Sequence, residues 1–135
     1  MPVIKWNSAY SIGIDEIDEQ HKILLSIINE LYDAHSKGMG QVVIADTINK
    51  LFDYTNEHFT MEQEMHLQYK FPHAAAHKEE HNEFVMKLEA LRQDAERKNL
   101  LLALKTLDFL KDWTITHILG SDKEFGEYLR RVELQ

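Results

Sequence analysis

The chain has no cysteine among its 135 residues. That absence removes disulfide frameworks, thiolate zinc sites, iron–sulfur clusters, attached c-type haem and cysteine nucleophiles together. Proline and glycine are scarce, at 2 and 5 residues, so long uninterrupted elements are expected. Positive charge is in deficit: 15 Lys and Arg against 23 Asp and Glu leave a formal net charge of −8. A general nucleic-acid or anionic-membrane binder needs the opposite sign. Long apolar runs are missing as well. The stretches around Ile23–Ile28 and Leu100–Leu104 fall far short of the ~20 residues that span a bilayer. Met1–Trp6 shows no charged segment leading into an apolar one, so it does not read as a signal peptide. The cytoplasm is the expected location, and a monomer the expected state.

Histidine is what the chain has in excess, with 8 residues. The rest of the composition, 44% hydrophobic and 28% charged, is that of one globular domain over residues 1–135. Residues 1–16 read as an extended arm in which Trp6, Tyr10, Ile12 and Ile14 are apolar and Gly13 breaks any helix. Four helical segments follow across 18–119. The first spans about Asp18 to Lys37 and the second about Val42 to Leu67. The third spans about His73 to Arg97. The fourth runs from an N-cap at Asn99 to Leu119, stopping at Gly120, with a tail helix over 123–131.

Each helix carries a seam. Ile17, His21, Leu24, Ile28, Leu31 and His35 step 4, 3, 4, 3, 4 along the first, and Ile44, Ile48, Leu51, Thr55, His58, Glu62 and Met65 continue that rhythm along the second. Ala74, His77, His81, Phe84, Leu88, Leu91 and Ala95 line the third, and Leu100, Ala103, Leu107, Leu110, Thr114 and His117 the fourth. Such seams, joined by short connections, predict an all-α, up-down-up-down antiparallel four-helix bundle. In that topology His21, His58, Glu62, His77, His81 and His117 meet at one end. Burying five imidazoles and a carboxylate without partners would cost several kcal/mol in total, of order one or more each. The pairs His58/Glu62 and His77/His81, each at i,i+4, share a helix face and can aim at one metal or at two adjacent metals. His35 lies at the far end and reads as an ordinary boundary residue. His66 is assigned to the solvated face, and His73, after Pro72, to an exposed helix start. Asp122 lies five residues past His117, so a regular helix would rotate it off the seam. A turn at Gly120 would swing it back, and an N-cap for the tail helix is its other reading.

These residues make up a recognisable set: Asp18-Glu19-Gln20-His21, His58-Phe59-x-x-Glu62, His77-x-x-x-His81-x-x-Phe84 and Trp113-x-x-x-His117-Ile118-x-x-x-Asp122, with Trp6 in the arm. The set resembles hemerythrin, in its single-domain bacterial form, over essentially the whole chain. The resemblance implies a non-haem di-iron centre with an oxo or hydroxo bridge. His77, His81 and His117 would hold one iron and His21 and His58 the other, with Glu62 and Asp122 bridging. Two octahedral irons offer ~12 positions, which these ligands and the bridge fill but for one, on the two-histidine iron. The implied activity is reversible dioxygen binding by a carrier that is not an enzyme. Leu24, Ile28, Phe59, Trp113, Thr114 and Ile118 are the candidate walls of a dry oxygen pocket. Thr114 departs from the family, which has a bulky aliphatic residue there. Either its hydroxyl bonds back to the Leu110 carbonyl or the pocket is roomier and wetter. A di-iron redox enzyme acting on peroxide, nitric oxide or ferrous iron is an alternative, as is an oxygen- or iron-responsive sensor. The paired Glu-x-x-His motifs of ferritin-like enzymes do not occur here.

Overall fold

The computed structural model describes residues 5–96 and 102–133. The described residues are helical without strands. A single 3-10 turn at Ser8–Tyr10 is capped by Asn7, whose Oδ1 accepts from the Ala9 amide at 2.8 Å. Four long helices follow: α1 (Asp15–Ser36), α2 (Gly40–Gln68), α3 (Ala74–Glu96) and α4 (Leu102–His117). A short α5 (Lys123–Glu133) closes the chain. The Asn99 cap, the end at Arg97 and the seam position Leu100 lie outside the described residues.

Helix α1 starts three residues before the expected Asp18. Asp15, Glu16 and Asp18 place negative charge in its first turn, against the exposed amides of the helix start. It ends at Gly38, which takes the left-handed conformation at φ +73. Helix α2 then begins at Gly40, where a Cβ would lie only 2.8 Å from that of Ala103, so α2 and α4 approach there as closely as glycine permits. Each helix packs on its two sequence or ring neighbours, α1 on α2 and α4, α3 on α2 and α4. Leu24, Ile28 and Leu31 meet Ile48, Leu51, Phe84, Leu88, Leu91 and Leu110 along the axis, all nearly inaccessible to solvent. Full burial of each such side chain contributes ~1.5–3 kcal/mol.

The expected break at Gly120 does not occur. The chain passes from α4 into α5 without leaving helical geometry, through one π turn at Ile118–Asp122. The i→i+5 bonding of a π turn carries five residues where an α turn carries fewer, so Asp122 returns to the face of His117. Asp122 is fully buried and neither of its oxygens accepts a hydrogen bond, so it does not serve as an N-cap for the tail helix.

A second apolar cluster, Ile12, Ile17, Phe71 and Phe125, covers the same end of the bundle. Three contacts fix it. Asp18 accepts from the Ile12 amide at 2.9 Å and from Ser11 Oγ at 2.5 Å. The Tyr128 hydroxyl donates to the Tyr69 carbonyl at 2.7 Å, tying α5 to the α2–α3 turn. Gly126 lets α5 lie against the arm, since a Cβ there would be 2.1 Å from the Ile12 carbonyl oxygen. This lid explains one correction. His66 is not on a solvated face but buried, enclosed by Phe71, Phe125 and His77. His35 is exposed at the opposite end, and the His73 side chain is exposed too, as expected.

Candidate metal centre

The end of the bundle beneath the lid gathers seven polar side chains, each at most 2% exposed: His21, His58, Glu62, His77, His81, His117 and Asp122. They come from all four long helices and the π turn. Their donor atoms fall into two overlapping groups, each with all atoms within 4.8 Å of one another. One group is His77, His81 and His117 with Glu62 and Asp122. The other is His21 and His58 with the same two carboxylates.

The carboxylate oxygens divide between the groups. Glu62 Oε2 is 3.0 Å from His58 Nε2, while its Oε1 is 2.5 Å from His77 Nε2 and 3.3 Å from His81 Nε2. Asp122 Oδ2 is 2.8 Å from His21 Nε2, while its Oδ1 is 2.7 Å from His77 Nε2 and 3.0 Å from His117 Nε2. Each carboxylate therefore presents one oxygen to each histidine group, which is how a bridging ligand is oriented. Several of these close approaches lack hydrogen-bond alignment. Both oxygens of Glu62 and of Asp122, both nitrogens of His21 and the His81 Nε2 are buried without a hydrogen-bonding partner. Buried polar atoms are rarely left so. Lone pairs aimed at common points, with five imidazoles and two carboxylates, suit borderline-hard cations such as iron.

Electrostatics describe the same centre in its metal-free form. Burial alone would raise the Glu62 carboxyl, but His58, His77 and His81 outweigh it and hold it well below the usual range. Asp122 is raised by burial and by Glu62, yet lowered further by His117 and His21, so it too is ionised. Burial opposes charge on His77 and His117, but Asp122 and Glu62, joined at His117 by Glu80, lift them to about 9 and about 10. The two buried anions thus favour positive charge on the imidazoles around them. His81 is driven down by burial, and His66 to about 4 by burial and His77.

Behind the centre lies a row of side chains to which sequence reasoning assigned no role. The Nδ1–H of His58 donates to Gln20 Oε1 at 2.5 Å. The Gln63 amide meets His81 Nδ1 at 3.2 Å. His117 Nδ1–H donates to Glu80 Oε1 at 3.1 Å, and Ser121 Oγ–H donates to the other Glu80 oxygen. Gln20, Gln63 and Glu80 each reach from one helix to a histidine of the next: α1 to α2, α2 to α3, α3 to α4. Each is also the chain neighbour of a cluster residue, Gln20 of His21, Gln63 of Glu62, Glu80 of His81 and Ser121 of Asp122. That adjacency was the available signal. Tyr54 went unnoticed as well. It stacks on His58 with ring centroids 5.1 Å apart, and its buried hydroxyl has no hydrogen-bonding partner. A cleft of about 390 Å³ between α1 and α2 reaches Tyr54 and His58 from outside.

The expected pocket residues divide. Leu24, Ile28, Thr114 and Ile118 are fully buried. Phe59 stacks face to face on His81 at 3.7 Å, and Trp113 on His117 at 4.2 Å, so both aromatics back the three-histidine group. Thr114 Oγ1 is buried with no partner, so it does not bond back to Leu110. Thr55 and Thr47 do bond back, to the Phe52 and Val43 carbonyls at 2.9 and 3.0 Å.

Comparison with known proteins points the same way. Residues 12–129 match the model of the hemerythrin HHE cation binding domain. A bacteriohemerythrin from Stenotrophomonas maltophilia is 29% identical over 131 residues, 96% of this chain and 84% of that protein. A hemerythrin-like protein from Naegleria gruberi is 34% identical over 125 residues, 89% of this chain and 88% of that one. A crystal structure of wild-type hemerythrin superposes with a TM-score of 0.81 at 27% identity, over 94% of this chain and 98% of that one.

Proposed function

The chain belongs to the hemerythrin HHE cation-binding family, and on that premise we propose that it binds dioxygen reversibly at a di-iron centre. One observation carries the reading. Glu62 and Asp122 each turn one oxygen to the three-histidine group and the other to the two-histidine group. When bound, the two irons supply one electron each and an open position to dioxygen.

The side chains do the rest. His77, His81 and His117 would hold one iron and His21 and His58 the other, with Glu62 and Asp122 shared between them. Gln20 and Glu80 keep the proton of His58 and His117 on Nδ1, which leaves each Nε2 lone pair facing inward. Leu24, Ile28 and Ile118 are buried apolar side chains that help to keep the bundle interior dry, and the lid of Ile12, Ile17, Phe71 and Phe125 seals the end. No helix of the described residues is long and apolar enough to cross a membrane.

The buried, unpartnered Thr114 hydroxyl is the observation that favours the enzymatic alternative, because a polar hydrogen in the wall admits water or stabilises charge. The test is an optical spectrum of the reduced, iron-loaded protein exposed to air and then de-aerated. A visible band that appears with air and disappears without it supports the carrier. Prompt, irreversible conversion to the di-ferric protein supports an oxidase and refutes it.

A further inference from the structure

The outer contacts of the centre are chemically unequal. Behind His58 and His81 stand the neutral amides Gln20 and Gln63, and behind His117 stands the carboxylate Glu80. Both Nδ1 of His21 and Nδ1 of His77 lack a hydrogen-bonding partner. Among the described residues, the one charged outer contact therefore falls on the three-histidine group. We propose that Glu80 is a positioning residue that acts through the Nδ1–H of His117 to make the three-histidine iron the more electron-rich, so that the two irons differ in reduction potential.

The inference rests on the di-iron reading above. A carboxylate that accepts the Nδ1–H of a ligating imidazole fixes its tautomer and orientation and raises its basicity as a ligand. A more basic ligand favours the ferric over the ferrous ion, which lowers the potential at that metal. An amide oxygen such as Gln20 Oε1 fixes the tautomer equally well but adds no charge, and Gln63 faces His81 Nδ1 with its amide nitrogen, a donor. Geometry restrains Glu80 for this task. Its two oxygens are engaged separately, one by His117 and one by Ser121 Oγ–H, so the carboxylate cannot rotate away. Ser121 is the residue before Asp122 in the π turn, so one side chain of α3 braces both His117 at the end of α4 and the turn that carries Asp122. Glu80 is 34% exposed. Water therefore damps its charge, and the effect on the metal travels through the hydrogen bond more than through space.

The competing account is mechanical, with Glu80 serving only as a strap between α3 and the π turn. Glu80→Gln separates the two, since it keeps the size and the acceptor but removes the charge. The iron-loaded full chain is titrated between reduced and oxidised forms and followed by optical and paramagnetic resonance spectra. Glu80→Gln is expected to raise the lower of the two potentials and narrow the range over which one iron is oxidised and the other reduced. Gln20→Glu, which adds charge behind His58, is expected to narrow that range by lowering the other potential. Against a ferrous chelator, Glu80→Ala is expected to release iron with ~10–100-fold weaker retention, and Glu80→Gln with a smaller loss. Potentials unchanged in Glu80→Gln, with two irons bound and a lowered melting temperature, would leave only the strap and overturn the proposal. A wild-type chain that takes up no iron would overturn the di-iron reading itself, whereas two irons in the wild type with unaltered variants would overturn this inference alone.

Discussion

Thr114→Val swaps a hydroxyl for a methyl at nearly constant volume, at a site with 0% exposure and no hydrogen-bonding partner. Both residues are β-branched, so helix propensity changes little. What changes is desolvation. An unpaired buried hydroxyl costs ~1–3 kcal/mol by mutational measures, and the valine removes that cost. For a chain of 135 residues the unfolding entropy makes 1 kcal/mol worth about 3–4 °C in melting temperature, so a rise of about 4–10 °C is expected. Thr55→Val is the matched control. It loses a 2.9 Å bond to the Phe52 carbonyl and should gain less or fall. Thermal unfolding of the metal-free variants at one pH measures both. If Thr114→Val melts lower than wild type, the hydroxyl has a partner and the account of a dry, unsatisfied site is wrong. The same variant carries a functional readout. With two irons bound, a wall without the hydroxyl should lengthen the life of the oxygenated form, and an unchanged lifetime would show that residue 114 does not govern the pocket.

Three further outcomes are expected. In the metal-free protein His77 and His117 are raised to about 9 and about 10 from 6.5, so their contribution is complete below pH 6.5 and lost as pH rises through those values. Glu62 and Asp122 are lowered, so theirs is lost as pH falls below the carboxylate range, and His66, lowered to about 4, adds an acid-side loss that His66→Met should remove. Melting temperatures across pH should therefore peak in mildly acidic solution without metal, whereas the iron-loaded protein should lose metal and stability below about pH 6, where protons compete for the imidazoles; identical profiles would contradict the centre. Chelation at neutral pH should lower the melting temperature, and elemental analysis before it should find about two irons per chain. Gly126→Ala would drive a Cβ to 2.1 Å from the Ile12 carbonyl oxygen, so a loss of ~1–3 kcal/mol and weaker iron retention are expected, measured by unfolding and by iron content.

Much of this is legible in the sequence. The 4-3 steps that place Leu24, Leu51, Leu88 and Leu110 on one axis also place His21, His58, His77 and His117 there, because one periodicity governs both. Where the period changes, the reading weakened. Asp122 is offset from His117 by five residues, which fits no α turn, and only the π geometry brings it back. The 4-3 seam passes through Met65, which by period alone puts His66 on the outer flank. The i,i+4 line from Glu62 runs through His66 as well, and α5 covers that flank, a packing the bundle pattern does not encode. Gln20, Gln63 and Glu80 escaped notice because they lie beside the seam rather than on it. Their partners are on other helices, and only the assembled ring brings them together.

The π turn has a consequence for the order of events in synthesis. It supplies the last of the seven converging residues, Asp122, roughly a hundred residues after the first, His21. At ~5–20 residues per second that separation amounts to about 5–20 s of translation. Until the turn emerges, the cluster lacks Asp122, with His117 also absent during most of that interval. The histidine end of the bundle can therefore close only after a single wide turn delivers the second buried carboxylate and α5 behind it brings Phe125 down over the cluster.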